Sequence, residues 1–144
     1  MKTRISMTVA LAALAASLLW GAVDLTNAKC PVAGSPANAE TSVDYKGGKV
    51  YFCCAGCDQT FRENTAAYAA KANHQLFVTG QAKQIACPLA AEEVDPAITA
   101  KVDGATVSFC CQHCLEAVAA LDDDKKLEML FGDAAFAKGF KVGD

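Results

Sequence analysis

The residues that can do chemistry here are eight cysteines, and they come as two identical sets of four. Cys30, Cys53, Cys54 and Cys57 recur 57 residues later as Cys87, Cys110, Cys111 and Cys114. Each set has the spacing C-x22-C-C-x2-C. Thiolates are soft ligands that suit Zn(II), Cu(I) and related ions. Four thiols copied with their internal distances intact point to a site used twice, and a fixed period is the mark of a repeated structural unit. All eight cysteines are therefore candidate metal ligands, with a zinc or copper ion as the expected cofactor or cargo.

The residues around the cysteines are copied more loosely. Cys30-Pro31-Val32-Ala33 aligns with Cys87-Pro88-Leu89-Ala90, and Val50-Tyr51-Phe52-Cys53-Cys54 with Val107-Ser108-Phe109-Cys110-Cys111. In the first copy, Pro31 to Ser42 reads as a loop and Ser42 to Cys53 as a hairpin turning at Lys46-Gly47-Gly48-Lys49. Asp58 to Ala72 reads as a helix, with Phe61, Thr65, Tyr68 and Ala72 on one face and Asn64 as a point of interruption. In the second copy, Thr99–Val102 and Ala105–Cys110 form the hairpin around Asp103-Gly104, and Gln112 to Leu121 forms the helix. Asp122-Asp123-Asp124 caps a further helix, Lys125 to Phe131. It lacks the alternating oxygen ligands of a calcium loop. The tail, with Phe136, Phe140 and Val142, is expected to pack back on the domain. Ala72 to Ala86 reads as a linker ending in an extended lead-in to Cys87. The fold class is thus α+β: two tandem small modules, each a β-hairpin followed by a helix, with a helical C-terminal extension.

This plan puts one cysteine of each set on a loop and three at the hairpin exit. On a helix start, Cys53 and Cys57 share a face, as do Cys54 and Cys57. Helix N-termini favour anions, so these thiols are expected to ionise easily. Cys54 and Cys111 follow strand residues whose neighbours face the site. Side-chain alternation points them away unless the chain has already turned into the helix, so their part as fourth ligands stays open.

Repeat 1 resembles the YHS/TRASH type of heavy-metal-binding domain. The resemblance rests on Cys30-Pro-Val, on Tyr45-Lys-Gly-Gly-Lys-Val-Tyr-Phe-Cys-Cys-Ala-Gly-Cys57 and on Phe61. Repeat 2 keeps the cysteines, with Val118 for Phe61 and Ser108 for Tyr51. The resemblance implies a treble-clef-like fold, a role in heavy-metal trafficking, resistance or sensing, and Cys30, Cys53, Cys57, Cys87, Cys110 and Cys114 as ligands. Four-cysteine relatives carry a second loop cysteine where Ala33 and Ala90 stand here.

The ends and the charge bound the rest. Lys2 and Arg4, an uncharged run from Ile5 to Val23, and Thr26-Asn27-Ala28 describe a signal peptide over residues 1–28. The two repeats then span residues 29–82 and 83–144, in a protein exported to a periplasmic or other extracytoplasmic compartment of a bacterial cell. A membrane becomes a partner only if the first segment is retained. The net charge of −3 offers no basic patch for nucleic acid. Modules this small gain from a metal or from cross-links.

Disulfide staples are one alternative for cysteines in an exported chain. Another is redox chemistry at Cys54-Ala-Gly-Cys57 and Cys111-Gln-His-Cys114, although each repeat is too short for a thioredoxin-like sheet. Asp58 and Leu115 stand where a c-type haem site needs histidine. His74 and His113 read as solvated side chains, and Glu92, Glu93 and Asp95 as a solvated loop. With no Ser/His/Asp set and no phosphate loop, a non-enzymatic protein is expected.

Overall fold

The computed structural model describes residues 23–143; the basic start and most of the uncharged run of the expected signal peptide lie outside the described residues. Two hairpins carry the repeat. Strands β1 (Ser42–Tyr45) and β2 (Gly48–Tyr51) pair antiparallel with Tyr45 opposite Gly48. Their turn is Lys46-Gly47, with φ of 50° and 84°, the left-handed pair that matches the twist of a tight hairpin. The second hairpin repeats this, β4 (Asp95–Val102) against β5 (Ala105–Phe109), with Asp103 and Gly104 at φ 44° and 83°. Strand β4 begins four residues before the expected Thr99, and its pairing is irregular between Asp95 and Thr99.

Each hairpin runs into a helix: α1 (Cys57–Glu63) in the first repeat and α3 (Gln112–Ala119) in the second. The helix expected over Asp58–Ala72 is broken where Asn64 takes φ −145° and ψ 60°; a 3-10 turn (Thr65–Tyr68) follows. Then comes α2 (Ala69–Val78), which corrects the linker reading of Ala72 onward. Its Ala69, Ala72, Asn73 and Leu76 are buried, which an exposed connection would not be. The connection is reduced to a turn and β3 (Ala82–Gln84), paired antiparallel with the last strand, β6 (Phe140–Val142).

Helix α4 (Asp123–Phe131) starts two residues before the expected Lys125, and of the acidic run Asp122 is the cap, its carboxylate accepting the Lys125 N–H at 2.9 Å. Helix α5 (Asp133–Gly139) leads into β6, and Phe136 and Phe140 are buried. The chain is α+β with two hairpin-plus-helix units. They share one core, in which Phe52 and Phe61 of the first repeat belong with Val107, Phe109 and Phe131 of the second part. Helix α2 is the shared wall, packed against β2, β3, β5, α4 and α5.

Two aromatic groups fill that core. Phe61 lies 5.4 to 6.4 Å from Phe52, Tyr45 and Tyr68, ring centre to ring centre. Phe131, Phe140 and Phe77 lie 5.0 to 5.9 Å apart beneath α2. Such tilted, edge-on and stacked pairs add to the area they bury. His74 belongs to the second group, which corrects the solvated reading: it is 5 % exposed, edge-on to Phe131 at 5.0 Å, with Nε2 3.2 Å from the Val102 carbonyl. Among the described residues, no helix is long and apolar enough to cross a membrane. Ala28 is buried, and its carbonyl accepts the Ala37 N–H at 2.9 Å.

Candidate metal centres

Each loop cysteine is held by a tight turn. The Cys30 N–H donates to the Ser35 carbonyl and its carbonyl accepts the Gly34 N–H, both at 2.8 Å. Cys87 repeats this with Glu92 and Ala91 at 2.9 and 2.8 Å. The turn needs a left-handed residue, Gly34 at φ 72° in one copy and Ala91 at φ 59° in the other. The Ala33 N–H points at the Cys30 sulfur, 3.5 Å away. Alanine thus stands where a second loop ligand would be, but its backbone supports the first.

The hairpin supplies the second sulfur. The Asn38 side chain donates to the Cys53 carbonyl at 2.9 Å, and its backbone N–H donates to Phe52. Helix α1 supplies the third, Cys57, as its first residue. The sulfurs of Cys30, Cys53 and Cys57 all lie within 4.8 Å of one another, as do those of Cys87, Cys110 and Cys114. The close pairs are Cys53–Cys57 at 3.9 Å and Cys110–Cys114 at 3.7 Å. A tetrahedral ion with metal–sulfur bonds of about 2.3 Å holds its sulfurs about 3.8 Å apart, so the trios fit a soft ion with little movement. All eight thiols are free.

Cys54 and Cys111 stand outside these trios and are exposed. They are nonetheless close: the Cys54 sulfur is 3.7 Å from Cys53 and 3.5 Å from Cys57, and Cys111 is 3.8 Å from Cys110. In the first repeat this closeness does not come from a shared helix face. Cys53 and Cys54 precede the helix, and Gly56 at φ 104° bends the chain between them and Cys57. In the second repeat the helix starts two residues earlier in register, with Cys111 as its extended N-cap at φ −160°.

Ionisation is distributed against the helix-start expectation. For Cys30, burial works to raise the thiol, but the backbone N–H groups of Ala33, Cys53 and Val32 outweigh it and bring it below the usual 9.0. Cys87 is lowered in the same balance by Cys110, Ala90 and Leu89. Cys57 is pushed up to about 12, first by its hydrogen bond with Cys54 and then by desolvation. Cys114 is pushed up to about 12 by desolvation and then by Cys110. Desolvation also raises Cys53 and Cys110. Neighbouring sulfur at Cys57 and desolvation at Cys114 work against the lowering that a helix start would give. Within each trio the loop cysteine is shifted toward the thiolate and the other two toward the thiol. Cys111 does follow the helix-terminus rule, lowered first by the Cys114 N–H.

Two positioning glutamines carried little signal in the sequence. Gln75 on α2 is 1 % exposed, and its amide donates to the Tyr51 and Lys29 carbonyls and accepts the Tyr51 N–H. It thereby ties the chain just before Cys30 to the strand just before Cys53. Gln84 does the same for β5, bonding both the N–H and the carbonyl of Ser108. A glutamine inside a stretch read as a linker looks solvated; only the apolar Ala72 and Leu76 flanking Gln75 at helical spacing hinted otherwise. His113 is exposed, as expected, and adds no ligand to the trio beside it. No family model matches the chain, and no curated protein or solved structure matches it.

Proposed function

We propose that the chain is an exported, non-enzymatic protein that binds a soft metal ion, Zn(II) or Cu(I), in each of its two cysteine clusters. The observation that carries this is the duplicated trio, three sulfurs within 4.8 Å of one another in each repeat. The resemblance of the C-x22-C-x3-C frame to YHS/TRASH domains supports a role in metal trafficking, resistance or sensing. The leader is removed on export. Removal at or before Val23 keeps the packed segment around Ala28, whereas removal after Ala28 deletes it, and the intact mass of the exported protein distinguishes the two.

The test is metal content by mass spectrometry on the reduced full chain, repeated with Cys53→Ser and Cys110→Ser. The parent should hold stoichiometric zinc or copper, and each variant should lose one ion. A parent without either metal refutes the proposal. Eight cysteines in disulfides would instead favour a stapled interaction module. A second reading rests on the 3.5 Å approach of Cys54 and Cys57, which suits a thiol–disulfide couple. It requires Cys54, Cys57, Cys111 and Cys114 but neither Cys30 nor Cys87, so Cys30→Ser and Cys87→Ser separate it from metal binding.

A further inference from the structure

The first cluster contains two triangles of sulfur. The inner one is Cys30, Cys53 and Cys57. The outer one is Cys53, Cys54 and Cys57, with edges of 3.7, 3.5 and 3.9 Å. They share the Cys53–Cys57 edge. The outer apex faces solvent, whereas the inner apex, Cys30, is 1 % exposed beneath its own turn. Cys54 is not among the sulfurs that all lie within 4.8 Å of one another. A tetrahedral site requires every pair at about 3.8 Å, so Cys54 does not close a four-thiolate cage around an ion held by Cys30.

We propose that Cys54 is the exchange thiol of the first cluster, taking the ion from the buried trio and presenting it to a soft-ligand acceptor bearing its own thiolates. This rests on the soft-metal reading above. Cys53 and Cys57 stay bonded throughout as the hinge. The bond from Cys30 to the ion breaks as the bond from Cys54 forms. The proton leaving Cys54 passes to the freed Cys30 thiolate or to buffer, and no electron moves. The acceptor's thiolate then binds the exposed ion, and the three cluster sulfurs leave in turn as further acceptor thiolates replace them. Open, three-thiolate coordination leaves room for an incoming ligand, which a closed structural site lacks. The bend that sets Cys54 against Cys57 depends on Gly56, whose φ of 104° is strained for any other residue and whose missing side chain would meet nothing within 4 Å. The glycine therefore serves the backbone path, not a packing need.

The experiment uses the full chain, reduced, with Cys110→Ser silencing the second cluster. Zn(II) and, separately, Cu(I) are loaded, and transfer to a chromophoric chelator is followed with increasing dithiothreitol. With Cys54 present, the rate should climb with dithiothreitol. Cys54→Ser and Cys54→Ala should keep the same metal complement and transfer it about tenfold more slowly, the effect of about 1.4 kcal/mol on the barrier. Equal or faster transfer overturns the proposal, and so does loss of the ion, which would make Cys54 a holding ligand. Because Cys54 is exposed, both variants should keep the parent's circular dichroism. A Cys110→Ser chain that binds neither metal overturns the metal reading itself, before either Cys54 variant is compared.

Discussion

Replacing Gln75 by methionine asks whether one buried amide holds the first cluster in shape. The Gln75 Oε1 accepts the Tyr51 N–H at 2.6 Å, and Nε2 donates to the Tyr51 and Lys29 carbonyls at 2.8 Å each. Methionine is unbranched and of similar length, so the volume is kept and the amide alone is lost. Lys29 is exposed, and its carbonyl can turn to water. The Tyr51 N–H and carbonyl are buried and cannot. Each orphaned group costs about 1–3 kcal/mol, so the pair should cost about 2–4 kcal/mol once some relaxation is allowed. For a domain of this size that lowers Tm by about 10 °C. The assay is urea and thermal unfolding of the metal-free protein, followed by circular dichroism. A second readout is selective: Gln75 aligns Cys30 with Cys53 but touches neither Cys87 nor Cys110, so metal loss should fall on the first cluster. A stability change under about 0.5 kcal/mol, the ordinary range for a surface substitution, would refute the reasoning.

Other perturbations follow from the backbone and the titrating groups. Ala91→Gly should stabilise the protein by about 0.5–1 kcal/mol in urea unfolding, since alanine at φ 59° costs more than the added freedom of glycine. Gly56→Ala should cost about 1–3 kcal/mol through conformation alone, and the same unfolding experiment reads it. Burial lowers the His74 imidazole below its usual 6.5. The folded state thus binds the proton less well than the unfolded one, so His74 adds stability above pH 6.5 that is lost as the pH falls. His74→Gln should flatten that acid limb of the unfolding free energy. Cys57 and Cys114, raised to about 12, act in the opposite sense. The metal-free protein should lose stability as pH rises from 9 toward 12. Metal uptake should release protons, and affinity should rise with pH in a competition titration.

Much of the fold was legible because its signals are local. Lys46-Gly47 and Asp103-Gly104 can be read as turns from two residues each, and the structure puts left-handed pairs there. Asp122 before an amphipathic run reads as a cap, and it is one. Helix α2 beyond Ala72 was not legible. Its sequence, AAKANHQLFV, has a polar or charged residue at four of ten positions, and three of those four are buried. The Asn73 amide nitrogen donates to the Phe131 carbonyl, 58 residues away, while its Oδ1 is left without a partner, and His74 meets the Val102 carbonyl, 28 residues away. Periodicity counts apolar side chains and cannot see partners that arrive from distant chain.

The cysteine frame divides the same way. Copy number, spacing and the loop–hairpin–helix order are carried by the sequence, because a repeat is a property of the string and hairpin turns are set by their own residues. The resemblance already implied Cys30, Cys53 and Cys57 as one set; where Cys54 and Cys111 stand relative to the trios was decided only in three dimensions. Cys30 is drawn inward under a turn whose N–H groups support its sulfur, while the bend at Gly56 leaves Cys54 outside on the shared edge. Ionisation is likewise tertiary: burial and neighbouring sulfurs raise Cys57 and Cys114, although a helix start by itself would lower them. The sequence determined that there are two cysteine clusters. Packing against α2, through buried polar bonds that no short window contains, decided their shape.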